Sequence, residues 1–202
     1  MLNLIKRDLI LQKKQLLFYL GFIIFFIVMN KHHPIFIFTI ASILIPVNTH
    51  AYDAKAETNI LLNSLPYTRK EIVASRYIGA IVYMLLAITI TSAMLIIFQK
   101  SFTVEHIIMS NALFLLFAAF TFPLFYQFKQ DHLFLIIMSL FLVVTFFGPG
   151  AVQFLATEFN TVTDAIFSLS VPALYTIAAI IIICAYTISW GVSLIIYQRK
   201  AF

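Results

Sequence analysis

Charge is what this sequence has least of. Its 202 residues include 13 Lys and Arg and 8 Asp and Glu, so charged side chains make up 10% of the chain against 62% apolar ones. Mean hydropathy is +1.02. A soluble fold of this length has too little interior to hide so much apolar surface, whereas a bilayer solvates it directly; the composition is that of a polytopic membrane protein. Disordered, collagen-like and disulfide-stapled classes fall with the same numbers. Cysteine is nearly absent: Cys184, alone in an apolar stretch, has no partner in the chain. Glycine is scarce too, and Gly21, Gly79, Gly148, Gly150 and Gly191 form no G-x-x-x-x-G-K-[ST] phosphate cradle, so ATP binding is not expected of this chain. Neither a G-x-S-x-G elbow nor an H-E-x-x-H helix occurs, and no catalytic residue is assigned.

What is present is a series of continuous apolar runs: Leu16 to Met29, Pro34 to Val47, Tyr77 to Phe98, Ile107 to Phe128, Leu133 to Leu155 and Pro172 to Tyr197. They predict an all-α protein with six transmembrane helices. The first two runs are short for a bilayer that requires about 20 residues per helix, and are expected to extend into Lys14, Gln15, Asn48, Thr49 and His50. No small-residue cleavage site follows the first run, so no signal peptide is expected. None of the six runs contains Asp, Glu, Lys or Arg. Ion-coupled carriers keep ionisable ligands at membrane depth, so any transport here is expected to draw its energy from a separate ATPase.

Orientation follows from the basic residues of the short connections. Lys6, Arg7, Lys13, Lys14, Lys55, Arg69, Lys70, Arg76, Lys129, Arg199 and Lys200 fall on one side, and only Lys31 and Lys100 on the other. Both termini are therefore predicted to be cytoplasmic, in a multi-pass plasma-membrane protein. The net charge of +5 is explained by this asymmetry, with some attraction to anionic lipid headgroups, and nucleic-acid binding is not implied.

Two cytoplasmic segments stand out. Residues 1–15 are too charged to span and too apolar for a solvated tail. Leu2, Ile5 and Leu9 share a narrow helical sector with Leu16, which predicts an interfacial elbow helix preceding a transmembrane domain of residues 16–202; Leu4 and Leu11, on the opposite side, suggest contact with protein as well as lipid. The loop from 50 to 76 predicts a short helix from Asp53, as N-cap, to Leu62, broken by Asn63-Ser64-Leu65-Pro66. Its apolar end, Ile60, Leu61 and Leu62, with acidic Asp53 and Glu57, has the character of a docking element. A new helix is then predicted to start at Thr68, with Glu71 completing a capping box and Tyr67 stapling onto Ile72.

The amino-terminal NLIKRDLILQKKQ, two spans, and then LLNSLPYTRKEIVASRYIGA resemble the ABC-2 type permease family in its small six-span branch, which includes membrane subunits of phenol-soluble modulin exporters. The LP-x-[ST]-R-K-E-I-V-x-[SA]-[RK]-Y stretch is the most specific part. The resemblance implies a permease that pairs with a second copy or a paralogous partner and binds two cytoplasmic ATPase subunits, which hold ATP and Mg. It also implies a coupling helix at Asp53 to Leu62, and export of a lipid-like or amphipathic substrate such as cytolytic or antimicrobial peptides. Residues 60–63, ILLN, depart from the more charged loops common in the family.

Other features weigh less. Ala185, Ser189 and Ser193 recur every four residues and predict a close-packing helix face. Gly148-Pro149-Gly150 predicts a break before an external segment from Ala156 to Val171. The histidines, 32, 33, 50, 106 and 132, lie in separate connections; only His32 and His33 are expected near enough to share an ion, and no metal site is assigned. Two rival readings are a substrate-binding six-span subunit of a vitamin importer, which would need a polar pocket among its spans, and an intramembrane enzyme, which would need paired carboxylates or Ser with His at membrane depth.

Overall fold

The computed structural model describes residues 2–29, 33–55, 67–128 and 168–199, with isolated positions between 132 and 158; within helices, the side chains of residues 2, 3, 5, 8, 9, 11–16 and 50–55 are not described. Five helices are described: α1 (Leu2–Val28), α2 (Pro34–Lys55), α3 (Arg69–Ile97), α4 (Val104–Gln127) and α5 (Val171–Arg199). No strand occurs among the described residues. Three of these, α3, α4 and α5, are long and apolar enough to cross a membrane; the apolar parts of the other two, Leu17–Val28 and Pro34–Thr49, are shorter.

The expected elbow is not a separate element. Helix α1 runs unbroken through residues 15 and 16, because Gln12 to Gln15 are good helix formers and no glycine or proline precedes Gly21. A second correction concerns Asp53. Helix α2 continues to Lys55, so Asp53 lies in its last turn and does not begin a new helix. Nothing after Pro46 breaks α2: Ala51 and Ala54 extend it. The remainder of the predicted coupling helix, and most of the fifth run, Leu133 to Leu155, lie outside the described residues.

Helix ends are well explained. Thr68 is the N-cap of α3: its Oγ1 accepts the Glu71 amide N–H at 3.2 Å, and the Glu71 carboxylate accepts the Thr68 amide at 2.9 Å, the capping box expected. Tyr67 packs on the buried cluster that contains Ile72, as a staple would. The other end closes with Gln99 in the left-handed region (φ 52°), its amide bonding Ile96 O while that of Lys100 bonds Leu95 O. This is the Schellman pattern, with glutamine where glycine is the usual residue.

Contacts fix the directions of the helices. Phe26 of α1 meets Phe36 of α2, His33 before α2 meets His106 near the start of α4, and a short connection joins α3 to α4. Arg69 at the start of α3 reaches the end of α5, and Tyr126 and Tyr197 meet at the ends of α4 and α5. Thus α3 runs antiparallel to α2, α4 and α5, while α4 and α5 are parallel neighbours.

Candidate functional site

The ends of the helices that carry most of the basic residues converge on one cluster. Ile72, Val73 and Tyr77 of α3, Phe122 and Tyr126 of α4, and Tyr197 of α5 are buried together, and Leu4 of α1 joins them at 3% exposure. Leu4 was the exception in the sequence pattern. The structure explains it by burial against protein; the side chains of Leu2, Ile5 and Leu9, on the other sector, lie outside the described residues.

Tyr77 is the polar centre of this assembly. Its ring stacks on Trp190 with centroids 5.7 Å apart and meets Phe122 and Tyr186 edge-on at 5.1 Å. Its hydroxyl lies 2.8 Å from Ser189 Oγ and 2.7 Å from Ser193 Oγ, and Ser189 Oγ donates to the Ala119 carbonyl at 2.6 Å. Proton counting fixes the direction of these bonds, since each hydroxyl has a single hydrogen. Ser189 spends its own on Ala119, so Tyr77 must donate to Ser189 and Ser193 must donate to Tyr77. The result is a one-way chain, Ser193 to Tyr77 to Ser189 to Ala119, that ties α5 to α3 and then to α4. Tyr186 adds a bond to the Tyr77 carbonyl at 2.9 Å.

The acceptor at the end of this chain has a specific cause. Pro123 sits inside α4 and has no amide hydrogen, so the carbonyl four residues earlier, that of Ala119, loses its helical donor. Ser189 supplies the replacement across the helix interface. Ser189 and Ser193 are buried, with Ala185 partly so. Two residues of the small-residue face expected from sequence, Ser189 and Ser193, thus carry hydrogen bonds.

Arg76 was counted by sequence among the basic residues of the cytoplasmic connections. It is buried, 6% exposed, on the α3 stripe shared with Ile72 and Ala80. The spacing of four from each was the signal. A space of about 10 Å³, room for about one water, lies beside it among Pro46, Thr49, Ser75, Tyr83 and Phe122. Arg69 reaches the carbonyl oxygens of Gln198 at 2.6 Å and Tyr197 at 3.4 Å.

Towards the other ends of the helices, α4 and α5 separate around an apolar cleft of about 390 Å³ lined by Ile108, Met109, Ala112, Leu115, Ala178 and Ile182. A second cleft of about 250 Å³, bordered by Tyr77, Ile81 and Trp190, shares Leu115 and Ile183 with it. Asn111 is the one amide side chain in this lining; its Oδ1 is buried and has no hydrogen-bond partner among the described residues.

The histidines need a correction. His33 and His106, from different connections, have ring centroids 4.7 Å apart, because α2 and α4 start side by side. His106 Nδ1 accepts the Thr103 amide at 3.1 Å, forming with Thr103 a second capping box that the sequence reading missed because the third-position residue is not Glu or Gln. Neutral His106 therefore carries its proton on Nε2. Among the described residues no group of three or more metal-ligating side chains occurs. Of the docking residues, Asp53 lies in α2, while Glu57, Ile60, Leu61 and Leu62 lie outside the described residues.

Residues 3–198 match the family described as ABC-2 family transporter protein. The chain belongs to the ABC-2 transporter family. Neither the curated proteins nor the solved structures compared with it gave a match. This ABC-2 protein is a membrane transporter component, a permease subunit of an ABC transporter, and membrane subunits of its family work with ATPase partners.

Proposed function

We propose that this permease exports an amphipathic or lipid-like substrate, cytolytic or antimicrobial peptides included, using ATP and Mg bound by separate cytoplasmic ATPase subunits. Both termini are cytoplasmic, and the loop between α2 and α3 is the docking element. The observation that carries the reading is the convergence of α1, α3, α4 and α5 on one buried cluster at the ends flanking that loop. A push on the loop meets a tied bundle end there.

Six spans are supported by direction. Parallel neighbours α4 and α5 require the intervening chain to recross the bilayer, and the run Leu133 to Leu155 is apolar and long enough to do so. Six spans enclose one small bundle, so a path for a bulky amphipath takes twelve, from two copies or a paralogous pair. The apolar clefts along α5, with a lone amide at Asn111, suit acyl or apolar side chains better than a polar solute.

Docking is tested by replacing Leu61 or Leu62 with Asp. Burying a leucine contributes about 1.5–3 kcal/mol, so either change should weaken ATPase association at least about tenfold with membrane insertion intact. Ala56→Glu, placed before the apolar end, should have a milder effect. Pull-down and ATP hydrolysis at equal expression read the outcome. Retention of both by the two Leu→Asp variants would remove the loop from coupling and favour an importer subunit energised through its spans.

A further inference from the structure

The proposed docking loop rejoins the membrane at Thr68, and the next residue, Arg69, bonds the last carbonyls of α5. We propose that Arg69 is a positioning residue that carries displacement of the loop to the final span. This rests on the reading of the loop as the ATPase-docking element.

The last carbonyls of a helix have no intrahelical donor and lie at the negative end of its dipole. Arg69 satisfies both: its Nη1 lies 2.6 Å from Gln198 O and 3.4 Å from Tyr197 O, and its charge faces the end of α5. The first residue of α3 thus caps the last turn of α5. Arg69 is also held rigidly on its own side, because the Thr68–Glu71 capping box fixes the backbone around it. Deeper in the bundle, the chain from Ser193 through Tyr77 to Ser189 joins the same two helices. Two attachment points, at residues 69 and 77, make the lower halves of α3 and α5 move together. Beyond residue 77, whose carbonyl also accepts from Tyr186, an apolar cleft bordered by Ile78, Ile81 and Ile183 lies between the helices. Displacement applied at Thr68 should therefore tilt α5 as a lever, with the largest change at the cleft.

The test places spin labels at Lys70 and Gln198 in full-length chains carrying Cys184→Ala, with and without the co-purified ATPase. Inter-label distances are measured by pulsed electron resonance, with and without a non-hydrolysable ATP analogue. The native chain should give a narrow distribution that shifts as a unit with nucleotide. Arg69→Ala should still bind the ATPase but broaden the distribution. A second label pair, Ile81 with Ile183 across the cleft, should lose at least about threefold of its nucleotide-driven shift. Arg69→Lys, which keeps the charge without the fork, should restore part of it; a residue with only a structural role would change melting temperature without affecting the nucleotide response. An undiminished cleft shift in Arg69→Ala overturns the positioning role alone. Failure of the native chain to bind an ATPase or respond to nucleotide overturns the docking reading and this proposal with it.

Discussion

Substitution of Ser189 by alanine should have a cost that depends on Pro123. In the native chain Ser189 is the replacement donor for the Ala119 carbonyl, which Pro123 leaves without an amide. Removing the hydroxyl orphans a partly buried carbonyl inside a span. A buried acceptor left unpaired costs about 1–3 kcal/mol, and interhelical hydrogen bonds measured in membranes are worth about 0.6 kcal/mol on average and up to about 1.7. Tyr77 limits the damage, since it can turn its hydrogen to Ser193, which then accepts. Ser189→Ala is therefore expected to cost about 1–2 kcal/mol. With Pro123→Ala, residue 123 regains an amide that can bond Ala119 O in the ordinary helical way. Ser189→Ala in that background should cost below about 0.5 kcal/mol. The coupling of about 1 kcal/mol is independent of whatever Pro123→Ala does by itself, because the cycle subtracts it. Reversible unfolding of the four variants in bicelles, by denaturing detergent or steric trapping, gives the numbers. Equal costs of Ser189→Ala in both backgrounds would refute the replacement-donor account.

Other expectations follow from single features. Gln99→Gly should stabilise the protein by about 0.5–1 kcal/mol, since a left-handed residue with a Cβ carries a strain that glycine lacks; a lower melting temperature would contradict the Schellman assignment. Thr68→Ala should cost about 1 kcal/mol through loss of the α3 cap and should increase amide exchange at Lys70 and Glu71. His106→Gln preserves an acceptor for the Thr103 amide and should retain most of the stability lost in His106→Ala, measured as melting temperature at neutral pH. Cysteine at Lys100 or Asn160 should react with an impermeant thiol reagent on intact cells, and cysteine at Lys55 or Lys129 should not; the reverse pattern would invert the orientation and take the docking argument with it.

The sequence alone determined what depends on local composition and spacing. Apolar runs place both ends of α4 and α5 and the far end of α3 to within about a turn, because a bilayer requires continuous apolar surface whatever the neighbours are, while α3 begins eight residues before its run. The Thr68–Glu71 box was legible because a cap is made of residues three apart. Helix continuity was less legible: residues 1–15 and 53–55 read as separate elements from their charge pattern, yet backbone propensity carries α1 and α2 straight through them. Only the tertiary structure decided the rest. Arg76 entered the sequence reading only as a basic residue of a connection, and its burial came from the packing of α2 and α4 around it; His33 met His106 only because α2 and α4 begin side by side. The same holds for Ser189, whose four-residue spacing from Ala185 and Ser193 announced a packing face but not its partners. Its role comes from a proline 66 positions earlier in the chain that leaves a carbonyl bare on another helix. A pairing of that kind has no local signature, because the donor and the acceptor become neighbours only when the helices pack.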